Sequence, residues 1–511
     1  MKKYLNISYY FLSIIIVVNS FSFSQTHLEA DPFNLLKIEN SQFNGKTPIS
    51  SNIFRPLFFN SDSILYSFSY RSEAYFNDNS PNQENMDVRY FSKGTGFFNS
   101  FQFAINSPYF SFLFEPYSKI NNFENVKNIS RAGAFSVLND QQLDSKKIKQ
   151  SSFRNFLLAF HYKGIGFGWH KGNRWWGPGL HSSFQMTNNT QPFMGNIIGT
   201  IEEVKIGRFG FYGLYTFSHL ENNNDNDPIY FTSLLGQITW YNSFILSLGF
   251  SRNYLTGGKN ISNYNWTKDD AKMIVFEGLL TSDLIGNEYT VGGHDYWDQT
   301  LSIYGVLAFP KRKLKLYAEL GINDNRMYFA DFLSQPDHSL STIFGFRDYG
   351  FGSYENLVFG FEWTNMMITY SSRFRPTGNG AWYFREQYNY NSLNGRRWGA
   401  HSGTDSDDWF IYAGYLSNKL MIVQGFNYER HGIVSFRPAE VKMESRLDIR
   451  YNFNDIWFGI YYEKQLEAFL GFPNYFYQDR SGNKIDASEG RLANTRSTNT
   501  IILNISKTIN F

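Results

Sequence analysis

The sequence predicts an all-β protein, a transmembrane antiparallel barrel of about 18 strands. Three observations carry that expectation. Apolar and polar side chains alternate with a period of two through many stretches, very short turns alternate with long polar segments, and aromatic residues make up 19% of the chain, with 52 Phe, 35 Tyr and 11 Trp. One water-soluble core cannot absorb so many rings, whereas a barrel turns them outward to lipid and into girdles at both membrane interfaces.

The elements follow in chain order. Met1-Lys2-Lys3 is a basic start, Tyr9 to Val18 an apolar core, and Ser22-Phe23-Ser24 places small residues where a signal peptidase reads. Residues 1–24 are therefore expected to be a secretory signal, cleaved after Ser24. The apolar run falls short of the roughly 20 residues that a membrane helix needs. Residues 25–62 are mostly polar, with one apolar patch at Phe33 to Ile38, and are expected to form a short periplasmic plug, helix or tether. Residues 63–511 are assigned to the barrel.

Within the barrel, Leu314, Leu316 and Leu320 alternate with Lys313, Lys315 and Glu319. Leu357, Phe359, Phe361 and Trp363 alternate with Asn356, Val358, Gly360 and Glu362, and Leu447, Ile449 and Tyr451 with Arg446, Asp448 and Arg450. Charged faces of such strands must look inward, because hydrocarbon offers them no partner. Short turns are expected near Lys163-Gly164, Gly207-Arg208, Tyr241-Asn242, Pro310-Lys311, Thr364-Asn365, Ser417-Asn418 and Asn454-Asp455. Long polar stretches separate them: 118–152, 172–199, 253–299, 323–353, 375–408 and 465–499. Short periplasmic turns and long extracellular loops are the asymmetry of outer-membrane barrels, and an even strand number puts both chain ends on the periplasmic side. The last strand sets Ile501, Leu503, Ile505 and Ile509 against Thr500, Asn504, Ser506 and Thr508, and the chain closes on Phe511. That ending resembles the terminal aromatic by which outer-membrane proteins present their final strand to the barrel assembly machinery.

Composition narrows the chemistry. Zero Cys removes disulfides, thiolate metal sites and thiol catalysis. A net charge of +2 provides no basic field for nucleic acid. The carboxylate pairs Glu463–Glu467 and Asp331–Asp337 have no nucleophile or His arrangement beside them, so no enzyme, catalytic residue or cofactor is expected. His161, His170, His181, His219 and His401 are scattered, and read as loop or lumen polar groups, with no metal site. Asp405-x-Asp407-Asp408 invites a calcium reading but lacks the full loop pattern of a calcium hand.

One segment stands apart, running from Gly166 to Phe193. Arg174-Trp175-Trp176-Gly177-Pro178-Gly179 puts a cation, two indoles and a sharp bend together, since Gly-Pro-Gly cannot continue a ladder. Exposed indole faces beside Arg suit sugar rings, whose C–H faces stack on them, and Asn188 and Asn189 add amide donors and acceptors. The alternative is an interfacial Trp pair and a loop fold held by Pro178. Arg373, Arg375, Arg396, Arg397 and Arg437, opposed by Asp405, Asp407, Asp408, Glu362 and Glu386, are expected to form an inward cluster: a grip on an acidic glycan, or salt bridges stiffening the barrel.

The string Arg174 to Gly179 followed by Ser182-Ser183-Phe184-Gln185-Met186-Thr187-Asn188-Asn189 resembles the signature of the Wzi family of capsule-assembly outer-membrane proteins. A second stretch is similar, from Tyr390 through Arg396-Arg397-Trp398-Gly399-Ala400-His401 to Gly403-Thr404-Asp405-Ser406-Asp407-Asp408. A third is Leu316-Tyr317-Ala318-Glu319 with Asn323-Asp324. The resemblance implies a barrel in the cell outer membrane, surrounded by lipid, that binds capsular or other surface polysaccharide and holds it without cleaving it. In that role Arg174, Trp175, Trp176, Asn188, Asn189, Arg373, Arg375, Arg396, Arg397, His401, Asp405 and Asp407 are the candidate contacts, and Gly177, Pro178 and Gly179 shape the loop. Members of that family can carry a helical bundle before the barrel; residues 26–62 are too short and polar for a substantial one. Two other roles compete: a channel for small solutes, and a surface component of gliding motility or adhesion of the kind Bacteroidetes-type bacteria make.

Overall fold

The computed structural model describes residues 31, 33–57, 64–81, 84–172, 174–257, 297–323, 333, 335–350, 354, 356–371, 380–472 and 494–510. The leader, Arg373, Arg375, Asp331 and the terminal Phe511 lie outside the described residues.

The strands are β1 (Leu65–Asn77), β2 (Gly94–Asn106), β3 (Phe110–Phe123), β4 (Ser151–Tyr162), β5 (Ile165–Lys171), β6 (Met194–Thr200), β7 (Val204–Ile206), β8 (Phe209–Asn222), β9 (Pro228–Tyr241), β10 (Ile245–Gly257) and β11 (Trp297–Phe309). There follow β12 (Leu314–Asn323), β13 (Ser341–Asp348), β14 (Leu357–Asn365), β15 (Ser392–Leu393), β16 (Arg396–Arg397), β17 (Ser406–Leu416), β18 (Leu420–His431), β19 (Glu440–Phe453), β20 (Ile456–Ala468) and β21 (Arg496–Asn510). The short pair β15–β16 is a hairpin within a loop. β6 and β7 both pair with β8 and make one interrupted stave, so the wall has 18 staves. Each stave is antiparallel to its chain neighbour, and β21 pairs with β1 from Ser67↔Asn510 to Asn77↔Thr500, which closes the ring. Among the described strands the closed wall has no edge left to pair with another chain.

One end of the barrel carries the short turns, such as 163–164, 207–208, 242–244, 417–419 and 454–455; the other carries the long loops, including 124–150, 172–193 and 366–405. Lipid dictates the direction of each face. On β19, Lys442, Glu444, Arg446 and Asp448 are buried inside, while Ser445 points out and Leu447 and Ile449 lie on the outer face. On β10, Leu246, Leu248 and Phe250 are exposed and Ser247 and Ser251 buried, the reverse of a water-soluble sheet. No helix among the described residues is long and apolar enough to cross a membrane.

Two expectations along the wall need correction. Thr364-Asn365 is not a turn: both residues end β14 at the loop end, where they pair with Asp408 and Asp407 of β17. The stretch 323–353, expected to be one long loop, contains β13, and the chain passes from β13 to β14 between Asp348 and Leu357. β13 is short and hard to see, since Gly345 interrupts its inward pattern; a Cβ there would come 2.4 Å from the Tyr317 ring. Elsewhere strands extend a few residues into the expected loops, as where β3 continues to Phe123.

The lumen is packed. Helix α1 (Asn34–Phe43) sits inside at the turn end, with Glu39 bonded to Lys315 at 2.7 Å, to the Tyr349 hydroxyl at 2.6 Å and to Arg347 at 2.8 Å. Phe33 stacks on Phe410 of β17, and Asp31 takes ion pairs from Arg71 of β1 and Arg89 at 2.9 and 2.8 Å. Residues 51–57 then run along the interior toward loop 172–193.

Candidate functional site

Loop 172–193 folds down into the barrel and is held by its backbone. The N–H groups of Leu180, His181 and Ser182 donate to the Glu362 carboxylate of β14 at 2.7, 3.2 and 2.6 Å. The Tyr317 hydroxyl of β12 donates to the same carboxylate at 2.7 Å. Phe184 N–H donates to Glu319 at 3.1 Å, and Gln185 bonds to Ser302 and Thr300 of β11. Loops leave backbone donors without a ladder, and inward acidic groups on the wall satisfy them. The bend at Gly179 needs the absence of a side chain: a Cβ would lie 2.1 Å from the Ser182 carbonyl oxygen.

Both indoles are inside this unit. Trp175 and Trp176 are each 3% exposed. The Arg55 guanidinium covers Trp175, 4.0 Å from the ring centroid, and Trp176 stacks on Phe231 of β9. Gly177 N–H donates to Ile53 at 2.9 Å, and Arg347 donates to the Pro178 carbonyl at 2.8 Å. The Arg174 guanidinium packs over Phe193 and donates to the His170 carbonyl at 3.0 Å; burial pushes its pKa down to about 9.

The second stretch, 390–405, closes over the first. Thr187 N–H donates to the Trp398 carbonyl at 2.6 Å, and its hydroxyl to that of Gly399 at 2.9 Å. Asn189 donates to the Arg397 carbonyl at 3.0 Å and bonds Asn139 of loop 124–150. Arg397 is 1% exposed and donates to the Ala134 carbonyl at 2.7 Å. The three sequence stretches around Arg174, Tyr317 and Arg396 thus meet as one packed unit inside the lumen.

A cleft opens beside this unit, between loops 78–93, 124–150 and 172–193 and the β15–β16 hairpin. Its cations are Arg89, which is paired with Asp31 and Glu73, and Lys119, Lys147, Lys149 and Arg396, with Tyr90 and Asn189 beside them. Lys147 and Lys149 are exposed. The Arg396 guanidinium lies over the Tyr90 ring at 5.0 Å, and burial pushes its pKa below the ordinary value while Tyr90 and Asp140 act to raise it. Asp87, the cleft's acidic group, is bonded to Arg154 at 2.7 Å.

No protein-family model matches the chain, and no curated protein matches it by sequence. Solved structures do. Wzi of Escherichia coli, described as an outer membrane protein involved in group 1 capsule assembly and a carbohydrate-binding β-barrel, superposes with a TM-score of 0.52 at 11% identity, covering 85% of this chain and 83% of that one. A BenF-like porin from Pseudomonas fluorescens Pf-5 gives 0.41 at 10% identity, with coverage of 89% and 100%, and OccK7 of Pseudomonas aeruginosa 0.40 at 10%, with 88% and 100%. This protein is an outer-membrane β-barrel.

The outer-membrane barrel departs from several expectations about side chains. The indole faces of Trp175 and Trp176 are not presented to solvent, because each is sandwiched inside the lumen unit. Asn188 and His401 are also buried. Among the described residues the expected Arg–carboxylate cluster does not form as one body: Arg437 and Glu386 are exposed, Glu362 is taken by loop N–H groups, and Arg396 and Arg397 belong to the hairpin. The acidic triplet divides three ways. Asp405 accepts backbone N–H groups of Ile368, Val434 and Ser435, Asp407 pairs with Arg430, and Asp408 faces His181 and His401. Three carboxylates committed to different partners cannot share a calcium ion. Of the candidate residues, Asn189 and Arg396 line the cleft. Lys119, Lys147, Lys149 and Tyr90 went unnoticed in the sequence, although the run Lys146-Lys147-Ile148-Lys149 within a polar stretch is a visible signal.

Proposed function

We propose that this barrel binds an acidic surface polysaccharide at its loop end and helps assemble or retain it at the cell surface, as a Wzi-like capsule-assembly protein. The observation that carries the reading is the cleft over a filled lumen: Lys147 and Lys149 are exposed at its mouth, Arg396 and Tyr90 line it as buried groups, and no free carboxylate stands among its described lining residues. Cations beside a ring and amides are the groups that grip carboxylated or phosphorylated sugars, and a polymer multiplies weak contacts by avidity. The carbohydrate binding named for the Escherichia coli protein supports the same reading. The packed interior weighs against a solute channel, whose lumen must hold a continuous water path.

The test is a glycan array probed with the full chain folded in detergent, alongside a Lys147→Glu/Lys149→Glu variant. Retention of acidic glycans, weakened several-fold by the double charge reversal, is expected. Equal retention by both proteins, or binding of neutral glycans alone, overturns the assignment. In the producing cell, deletion should release capsule into the medium, with surface spreading scored in parallel.

A further inference from the structure

A second cluster lies deeper, and it holds metal-ligand atoms. Glu84 from loop 78–93, His181 from loop 172–193, His401 from loop 366–405 and Asp408 from β17 are all buried. His181 Nε2 and His401 Nε2 each lie 3.1 Å from Asp408 Oδ2. Glu84 Oε2 lies 3.3 Å from His401 Nε2 and 3.9 Å from His181 Nε2. Around a tetrahedral zinc ion with arms near 2.0–2.1 Å, neighbouring donor atoms stand about 3.4 Å apart. The spacings match.

Hydrogen bonding and charge point the same way. Neither Nε2 atom is aligned for a hydrogen bond despite the 3.1 Å contacts with Asp408, and His401 Nδ1 and both oxygens of Asp408 are likewise without an aligned partner. Buried polar atoms without partners are costly and rare. The rings are held in place, His181 stacked on Phe410 at 4.3 Å and edge-on to His401 at 4.5 Å. Around them, among the described residues, the carboxylates of Glu84, Glu429, Glu444 and Glu463 are paired with two buried cations, Lys442 and Arg446, Glu429 also meets buried His431 at 2.6 Å, and Asp408 meets only the two imidazoles. The excess of buried carboxylates over cations favours positive charge here, as a bound cation or as protonated imidazoles.

We infer that Glu84, His181, His401 and Asp408 form a binding site for a divalent transition-metal ion, with zinc the best match to two imidazoles and two carboxylates. Lys442 and Arg446 both contact Glu84, and Glu429 stands 3.8 Å from His401 Nε2, so these three residues orient and charge-balance the ligand set. The ion would fasten three loops to the wall at β17, which gives it a structural role independent of the glycan cleft. A small cavity lined by His401, Glu429, His431 and Gln465 adjoins the site.

The experiment uses the full chain in detergent, stripped with chelator, reloaded with zinc chloride and desalted. One zinc per chain by elemental analysis, a higher Tm, and slower trypsin cleavage of the loops are the expected results; His181→Gln and His401→Gln should each lower zinc content at least tenfold. Cobalt(II) loading of the wild type supplies a readout that does not depend on the variants folding: an intense tetrahedral visible spectrum is expected. Wild-type protein that retains no zinc and gives a weak octahedral cobalt spectrum overturns the site and leaves an imidazolium–carboxylate clamp in its place. Zinc content unchanged in both variants overturns the ligand assignment.

Discussion

Glu362 on the barrel wall accepts the backbone N–H of Ser182 at 2.6 Å, joining residues 180 positions apart in sequence. The same carboxylate takes the N–H groups of Leu180 and His181 and the Tyr317 hydroxyl. Glu362→Ala would leave all of these donors buried without an acceptor, at about 1–3 kcal/mol each before relaxation. We expect an overall loss of about 3–5 kcal/mol, and a new protease-sensitive site within loop 172–193. Denaturant unfolding and limited proteolysis check it, and a loop that stays protected in the variant contradicts it.

The burial of Trp176 predicts a stability defect in place of a binding defect. Trp176→Ala should destabilise the barrel by about 3–5 kcal/mol, as expected for an emptied aromatic site. Its glycan binding, measured on the folded fraction, should fall less than that of the Lys147→Glu/Lys149→Glu variant. Selective loss of binding at unchanged stability would return Trp176 to the contact surface.

Glu39 in α1 couples the lumen to pH. Burial pushes its carboxyl up, and the Arg347 guanidinium and Lys315 ammonium more than reverse that, holding it at about 2 against an ordinary 4.5. A depressed folded value contributes stability that is complete above 4.5 and disappears as pH falls toward 2, to an order-of-magnitude total of about 3 kcal/mol. The stability gap between wild type and Glu39→Gln should therefore narrow across that acid window. Unfolding midpoints measured at steps of pH decide it; a constant gap means Glu39 is not the titrating group.

The lipid-facing assignment makes a positional prediction. Leu248 is 52% exposed on the outer face of β10, next in sequence to the buried Ser247. Leu248→Arg should cost about 2–4 kcal/mol near the bilayer midplane, whereas Leu248→Phe should be close to neutral. Unfolding in lipid vesicles gives the comparison, and equal stability of both variants would place Leu248 away from hydrocarbon.

Strand periodicity made the wall legible, because a charged side chain in a membrane has one direction to face. β12, β14, β19 and β21 all show it in sequence. β13 did not, since Gly345 and its eight-residue length weaken the alternation, and Thr364-Asn365 mimics a turn where a strand merely ends. The motif around Trp175 and Trp176 was visible, but its burial was not: the residues that enclose it, Arg55, Glu319, Glu362 and Trp398, come from distant parts of the chain. His181 and His401 looked isolated for the same reason, being 220 positions apart and joined by Asp408 only in three dimensions.

A stave ring stuffed with its own loops behaves as a solid post and not as a hollow tube. A load applied at the outer rim would pass through hydrogen-bonded contents to opposite sides of the wall together, so shear would be shared among many staves. A hollow cylinder with free-standing loops would instead concentrate that pull on one hairpin and peel it.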